Sequence, residues 1–305
     1  ETPTMQARGG SSQSVVVVDQ GQAGGPVFAA LTLTRPAGSA PSVNADASQL
    51  GGRLTLEGSQ VSVGNLVQAR SGQISISARG DGAADGVVLA DGAVIDARGS
   101  TKSFNGKQVT ADGGSVSLVA AAGSVNLQAG ARVDVSAAGQ GGGAGRMSLN
   151  GASVVIDRQL IGNAGAGSRS GSVNIDAGAI ADFSTINTAL NQGGFAEERQ
   201  VRLRTGDLAV AAADQVAARR VTLSADAGRI AVAGTVGTGA SGGGARVELY
   251  ADGDVILAPS SRIVANGSAV GARGGEVRVA SQQGSVVFDA GAVIDVRAGD
   301  AGAAG

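Results

Sequence analysis

Residues 113–136 read GGSVSLVAAAGSVNLQAGARVDVS. Three short runs follow one another: Ser115–Val119, Ser124–Gln128 and Ala131–Ser136. Each sets apolar residues at alternate positions: Val116 and Leu118, Val125 and Leu127, Val133 and Val135. A period of two marks a strand with one buried face. Gly-rich segments part the runs, as turns require.

The triplet recurs. Residues 220–236 place Val221 and Leu223, Ile230 and Val232, then Val236 on the inward side. Residues 246–265 repeat it with Val247 and Leu249, Val255 and Leu257, Ile263 and Ala265. Residues 276–297 do so again with Val277 and Val279, Val286 and Phe288, Ile294 and Val296. First strands follow one another from Val221 to Val247 to Val277, and from Val116 to Met147. Three strands in each such interval describe one rung of a parallel β-helix. One-faced strands cannot bury their apolar side alone. Coiling turns those faces inward, and stacking pairs each strand with the next at about 4.8 Å. A β-sandwich is the rival architecture, but it would carry more aromatics and a less regular triplet. The fold expected is therefore all-β, a right-handed parallel β-helix of roughly ten rungs, a rod of about 50 Å.

Composition agrees. Of 305 residues, 52 are Gly and only 2% are aromatic, while 43% are hydrophobic. A core must be built from small and β-branched side chains. Net charge is −2, and Lys occurs only at 102 and 107. Without clustered cations or stacking aromatics, nucleic acid is not an expected partner. No apolar run approaches the roughly 18 residues of a membrane span. The absence of Cys reads two ways: chance in a Cys-poor chain, or adaptation to export through an oxidising compartment. The start, ETPTMQARGGSSQS, lacks a signal region, and the end stops within a repeat, so both read as cuts in a longer protein.

The organisation expected is a less regular β segment over 1–49, rungs over 50–181, a loop or helical excursion over 182–200, and further rungs over 201–305. A second excursion, RGSTKSFNGKQVTADGG, covers 98–114 and carries both lysines.

The phrases GAVIDARGS (92–100), GARVDVSAAGQGGGAG (130–145) and GAVIDVRAGDAGAAG (291–305) resemble filamentous haemagglutinin-like exoproteins of two-partner (type Vb) secretion, in their shaft or repeat region. So do the GG-x-V-x-L openings and residues 204–216, 221–236 and 242–267. The resemblance spans about 50–305. It implies a right-handed β-helical shaft, secretion to the surface of a Gram-negative bacterium, an outer-membrane transporter barrel as partner of the full-length protein, and adhesion to a host-cell receptor or glycan. The Asn-rich motifs of the family's secretion domain are missing; the nearest residue is the isolated Asn65.

Candidate chemistry is sparse. Gly237, Gly239 and Gly242 formally match GxGxxG, but another strand pattern follows where a nucleotide site needs a helix. Asp96, Asp134 and Asp295 align at one position of the third strand and are expected to be outward, solvated and rungs apart. With no His and no Cys, imidazole bases and thiolate sites are absent. No catalytic, cofactor-binding or metal residue is assigned, and an enzyme is not expected. The one candidate contact is Arg79, Gly80 and Asp81, a receptor-type tripeptide in SARGDGAADG (77–86). Gly80 and Gly82 allow positive φ there, and a plain strand-ending turn is the simpler reading of the tripeptide, ahead of a receptor ligand.

Three functions remain in order: a structural shaft, a binding module acting through 98–114 or 182–200, and a polysaccharide-cleaving β-helix. A groove lined by two carboxylates with a nearby Arg would favour the third.

Overall fold

The computed structural model describes residues 4–6, 10–19, 27–34, 51–139, 141–156, 159–238 and 244–299. Most of 1–49 thus lies outside the described residues. The chain divides into two compact units: Glu1–Ile175 with Gln192–Phe195, and Asp176–Asn191 with Ala196–Gly305. Each is a stack of parallel strands coiled as a β-helix.

In the first unit, one face stacks Ser12–Val16, Arg53–Gly58, Gln73–Ala78, Ser115–Ala120 and Arg146–Ile156. A second face stacks Leu31–Leu33, Val61–Val63, Val87–Leu89 and Ser124–Leu127. A third stacks Thr4–Gln6, Leu66–Gln68, Val94–Asp96, Arg132–Asp134 and Leu160–Ile161. Register puts like on like. Leu54, Ile74, Val116 and Met147 form one interior column, and Val67, Ile95, Val133 and Leu160 another. All are essentially without solvent contact. Burying one such side chain contributes about 1.5–3 kcal/mol. Arg146–Ile156 runs unbroken through a corner, so it serves the first face with its start and the second with its end.

The second unit repeats the plan. Glu198–Leu203, Arg220–Ala225, Arg246–Ala251 and Glu276–Ser281 make one face. Leu208–Val210, Ile230–Val232, Val255–Leu257 and Val286–Phe288 make the second. Gln215–Val216, Thr235–Gly237, Arg262–Val264 and Val293–Asp295 make the third. Every inward residue read from 221 to 265 is buried. Those of 277–296 are partly or fully exposed, because no described rung packs beyond them.

The GG-x-V-x-L openings have a steric cause. Gly72, Gly114 and Gly145 succeed one another on the first face. A Cβ on each would land on the backbone carbonyl of the glycine one rung earlier: Gly52, Gly72 and Gly114. Backbones approach at this corner too closely for any side chain.

Both excursions have regular structure. Within 182–200 lies helix α1, Phe183–Gln192. Asp182 caps it, accepting from the Thr185 N–H at 3.1 Å and the Thr185 hydroxyl at 2.6 Å. These bonds, the hydroxyl's first, hold the Asp182 carboxyl below its ordinary pKa. Phe183, Ile186, Asn187 and Leu190 form the buried stripe at helical spacing. Within 98–114 lies a β-hairpin, Ser100–Phe104 with Lys107–Ala111.

Candidate functional site

Arg79–Asp81 directly follow the strand Gln73–Ala78, and Val87–Leu89 resumes the rung. The Arg79 and Gly80 N–H groups donate to the carbonyls of Gly58 and Ser59, at 2.8 and 2.9 Å, extending the rung ladder. The Arg79 guanidinium donates to Glu57 Oε1 at 2.8 Å. Asp81 is exposed, and no described residue holds its carboxylate. The glycines are explained differently from the sequence expectation. Neither Gly80 nor Gly82 has a positive φ. Asp85 folds back and accepts from the Gly82 N–H at 2.9 Å. A Cβ on Gly80 would strike that carboxylate. Glycine is there for space rather than for handedness.

The aspartate column also departs from expectation. Asp96 and Asp134 are not solvated: they are 2% and 3% exposed. Nor are they rungs apart, for they are direct register partners in adjacent rungs. The step of 38 positions from one to the other includes the hairpin, which lengthens the sequence without adding a rung. Each closes its own turn. The N–H two residues on, at Arg98, Ser136 and Arg297, donates to Oδ1 of Asp96, Asp134 and Asp295, at 3.2, 3.0 and 3.1 Å. Side chains complete the coordination. Gln68 donates to Asp96 at 2.8 Å, and Arg98 and Arg70 pair with it at 3.2 and 3.5 Å. Arg132 and Ser136 serve Asp134 at 2.7 and 2.5 Å. Arg297 serves Asp295 at 2.8 Å and, by this bond above all, draws its carboxyl down to a pKa of about 2. The carboxylates are thus consumed in ending the third strand.

A shallow cleft of about 270 Å³ in the second unit is lined by Tyr250, Asp226 and Asp252, with Ser224, Ser281 and Gln282. Two carboxylates with a nearby Arg stand here, as a polysaccharide-cleaving site would require. Yet Asp226 is ion-paired to Arg202 at 2.7 Å, and the Tyr250 hydroxyl contacts Glu248 at 3.2 Å. Acid–base cleavage of a glycoside calls for one carboxyl kept protonated against an apolar wall. Ala225, Ala251 and Ala280 complete the lining, but the cleft is shallow and open and Asp226 is already committed to Arg202. Among the described residues no group of three or more acidic, His or Cys side chains gathers around a common point. Of the GxGxxG glycines, Gly237 ends a third-face strand, while Gly239 and Gly242 lie outside the described residues. The next described element is the strand Arg246–Ala251, not a helix.

Sequence reasoning missed one buried cation. Arg199 occupies an interior position whose register partners are Val221, Val247 and Val277. It donates to Asn187 Oδ1 of α1 at 2.9 Å, and burial pushes its pKa down to about 10. Asn187 and Asn191 in turn donate to the Gln215 carbonyl, at 3.1 and 2.8 Å. The helix therefore satisfies an edge carbonyl of the third face that a strand would otherwise pair. The signal available was an Arg at an alternation point where other rungs carry Val.

No protein-family model, no curated protein and no solved structure matches the chain. Among the described residues no helix is long and apolar enough to cross a membrane.

Proposed function

We propose that this chain is a structural shaft segment of a large secreted bacterial surface exoprotein, an adhesin of the two-partner type, which holds a distal binding or effector tip away from the cell. The observation that carries this reading is the rung itself. The same three-strand coil, with the same interior columns and the same aspartate-closed corner, recurs in both units. Its role is mechanical: each rung is held by backbone ladders to its neighbours, and length is gained by repetition. Such a product leaves the cell through an outer-membrane barrel and faces a host receptor or glycan. Antibodies against this segment, applied to intact cells of the encoding bacterium, test the placement. Labelling without permeabilisation is expected; labelling only after permeabilisation would overturn it.

A second reading, a binding module, draws on one observation: Asp81 is exposed and uncommitted beside Arg79 and Gly80. Receptor contact through this turn predicts that Asp81→Glu abolishes attachment to host cells. Unchanged attachment leaves the turn as rung geometry alone.

A further inference from the structure

The hairpin Ser100–Phe104/Lys107–Ala111 leaves the rungs between a third strand and the next first strand. Asn105 and Gly106 turn it, with φ of 49° and 78°, the pair of positive values that a type I′ turn needs. Register sets Lys102 opposite Val109 and Phe104 opposite Lys107. By alternation these four share one face of the ribbon. Thr101 is on the other face, held to Thr110 at 3.3 Å and to the Ala138 carbonyl at 3.2 Å. Residues 103–109 are all exposed, with Phe104 at 54% and Val109 at 50%. The two lysines of the whole chain therefore flank an exposed apolar pair. Neither hairpin strand carries an acidic residue, and the adjoining Asp112 is engaged by the Gly143 N–H at 2.7 Å.

We infer that this face is a contact for anionic phospholipid surfaces. Ammonium groups beside exposed apolar side chains suit the boundary between lipid phosphates and acyl chains. The tip is convex, whereas sites for small ligands are concave. The Lys102 ammonium sits 5.2 Å from the Phe104 ring centroid, so one face of that ring is already occupied and is a poor platform for a sugar. Val109 adds nothing that a glycan recognises. Two lysines give weak, reversible contact, which many copies on one surface would sum. Lipid contact through the hairpin does not require the chain to be a shaft.

The test is co-sedimentation of the full chain at low ionic strength with vesicles of phosphatidylcholine alone or mixed with phosphatidylglycerol. Partition onto the mixed vesicles only is expected. Lys102→Gln/Lys107→Gln should weaken it about thirtyfold, at about 1 kcal/mol per lysine and tenfold per 1.4 kcal/mol. Phe104→Ser/Val109→Ser should remove the part that survives added salt. Circular dichroism checks that both variants keep the rungs. Failure to bind the mixed vesicles, equal binding to both vesicle types, or double variants that bind like the parent would overturn the proposal. So would hairpin-dependent binding to soluble polygalacturonate with the vesicles ignored.

Discussion

The third-strand aspartates show how one residue type can look chemical and be architectural. Asp96 ends its strand, closes its turn, and pairs its buried carboxylate with the partly exposed Arg70 and Arg98. Asp96→Ala would remove the acceptor shared by two guanidinium groups and the Gln68 amide, and should cost about 3 kcal/mol in urea unfolding. Asp96→Asn keeps the turn acceptor and should cost less. Equal losses would mean that the charge, not the turn, sets the cost. Asp295 is the half-exposed version, and its pH dependence has a definite sign. Its folded pKa of about 2 lies below the ordinary value of about 3.9. Its contribution is therefore fully present above about pH 4 and disappears as the pH falls through about 2. A carboxyl carbon titration followed by NMR should place the midpoint near 2, moving up in Arg297→Ala. A midpoint near 4 in the parent chain would discard the pairing.

At the scale of elements, legibility followed periodicity. Strands with alternate Val, Leu and Ile could be placed from sequence because only one register buries them. The hairpin carried a readable Asn105-Gly106 turn signal, but its polar strands have no apolar period to draw attention. Helix α1 was similarly marked by Asp182 and the Phe183, Ile186, Leu190 spacing, set within a stretch otherwise notable only for breaking the repeat. The aspartate column could not be judged from spacing, since an inserted hairpin hides the fact that Asp96 and Asp134 are neighbours. Arg199 was illegible for a related reason: what keeps it inside is a partner, Asn187, on an element of another kind. That pairing can be measured. Arg199→Leu removes the donor from a buried amide and should cost about 1–3 kcal/mol. Arg199→Leu combined with Asn187→Leu deletes the need as well as the donor and should recover part of that loss. Strictly additive losses would show that the pair is not coupled.

At the scale of the molecule, stability in a stack of rungs resides in contacts between neighbours, because each rung touches only the one before and the one after. Such a chain can lose protection locally without unfolding throughout. The glycine corner allows a sharp test. Gly114→Ala sets a methyl group onto the Gly72 backbone, where no flexible side chain can yield, so the two rungs must part at that corner. Overpacking of this kind costs about 1–3 kcal/mol. Its effect should be graded along the first face. Hydrogen exchange should quicken most in Ser115–Ala120 and in its ladder partners Gln73–Ala78 and the start of Arg146–Ile156. Arg53–Gly58, one rung further away, should change less. Gly106→Ala meets open space and strains only the positive-φ hairpin turn, so it should leave all four of these first-face strands unchanged. Uniform acceleration across the first face in Gly114→Ala would instead mean that the rungs open as a single cooperative block.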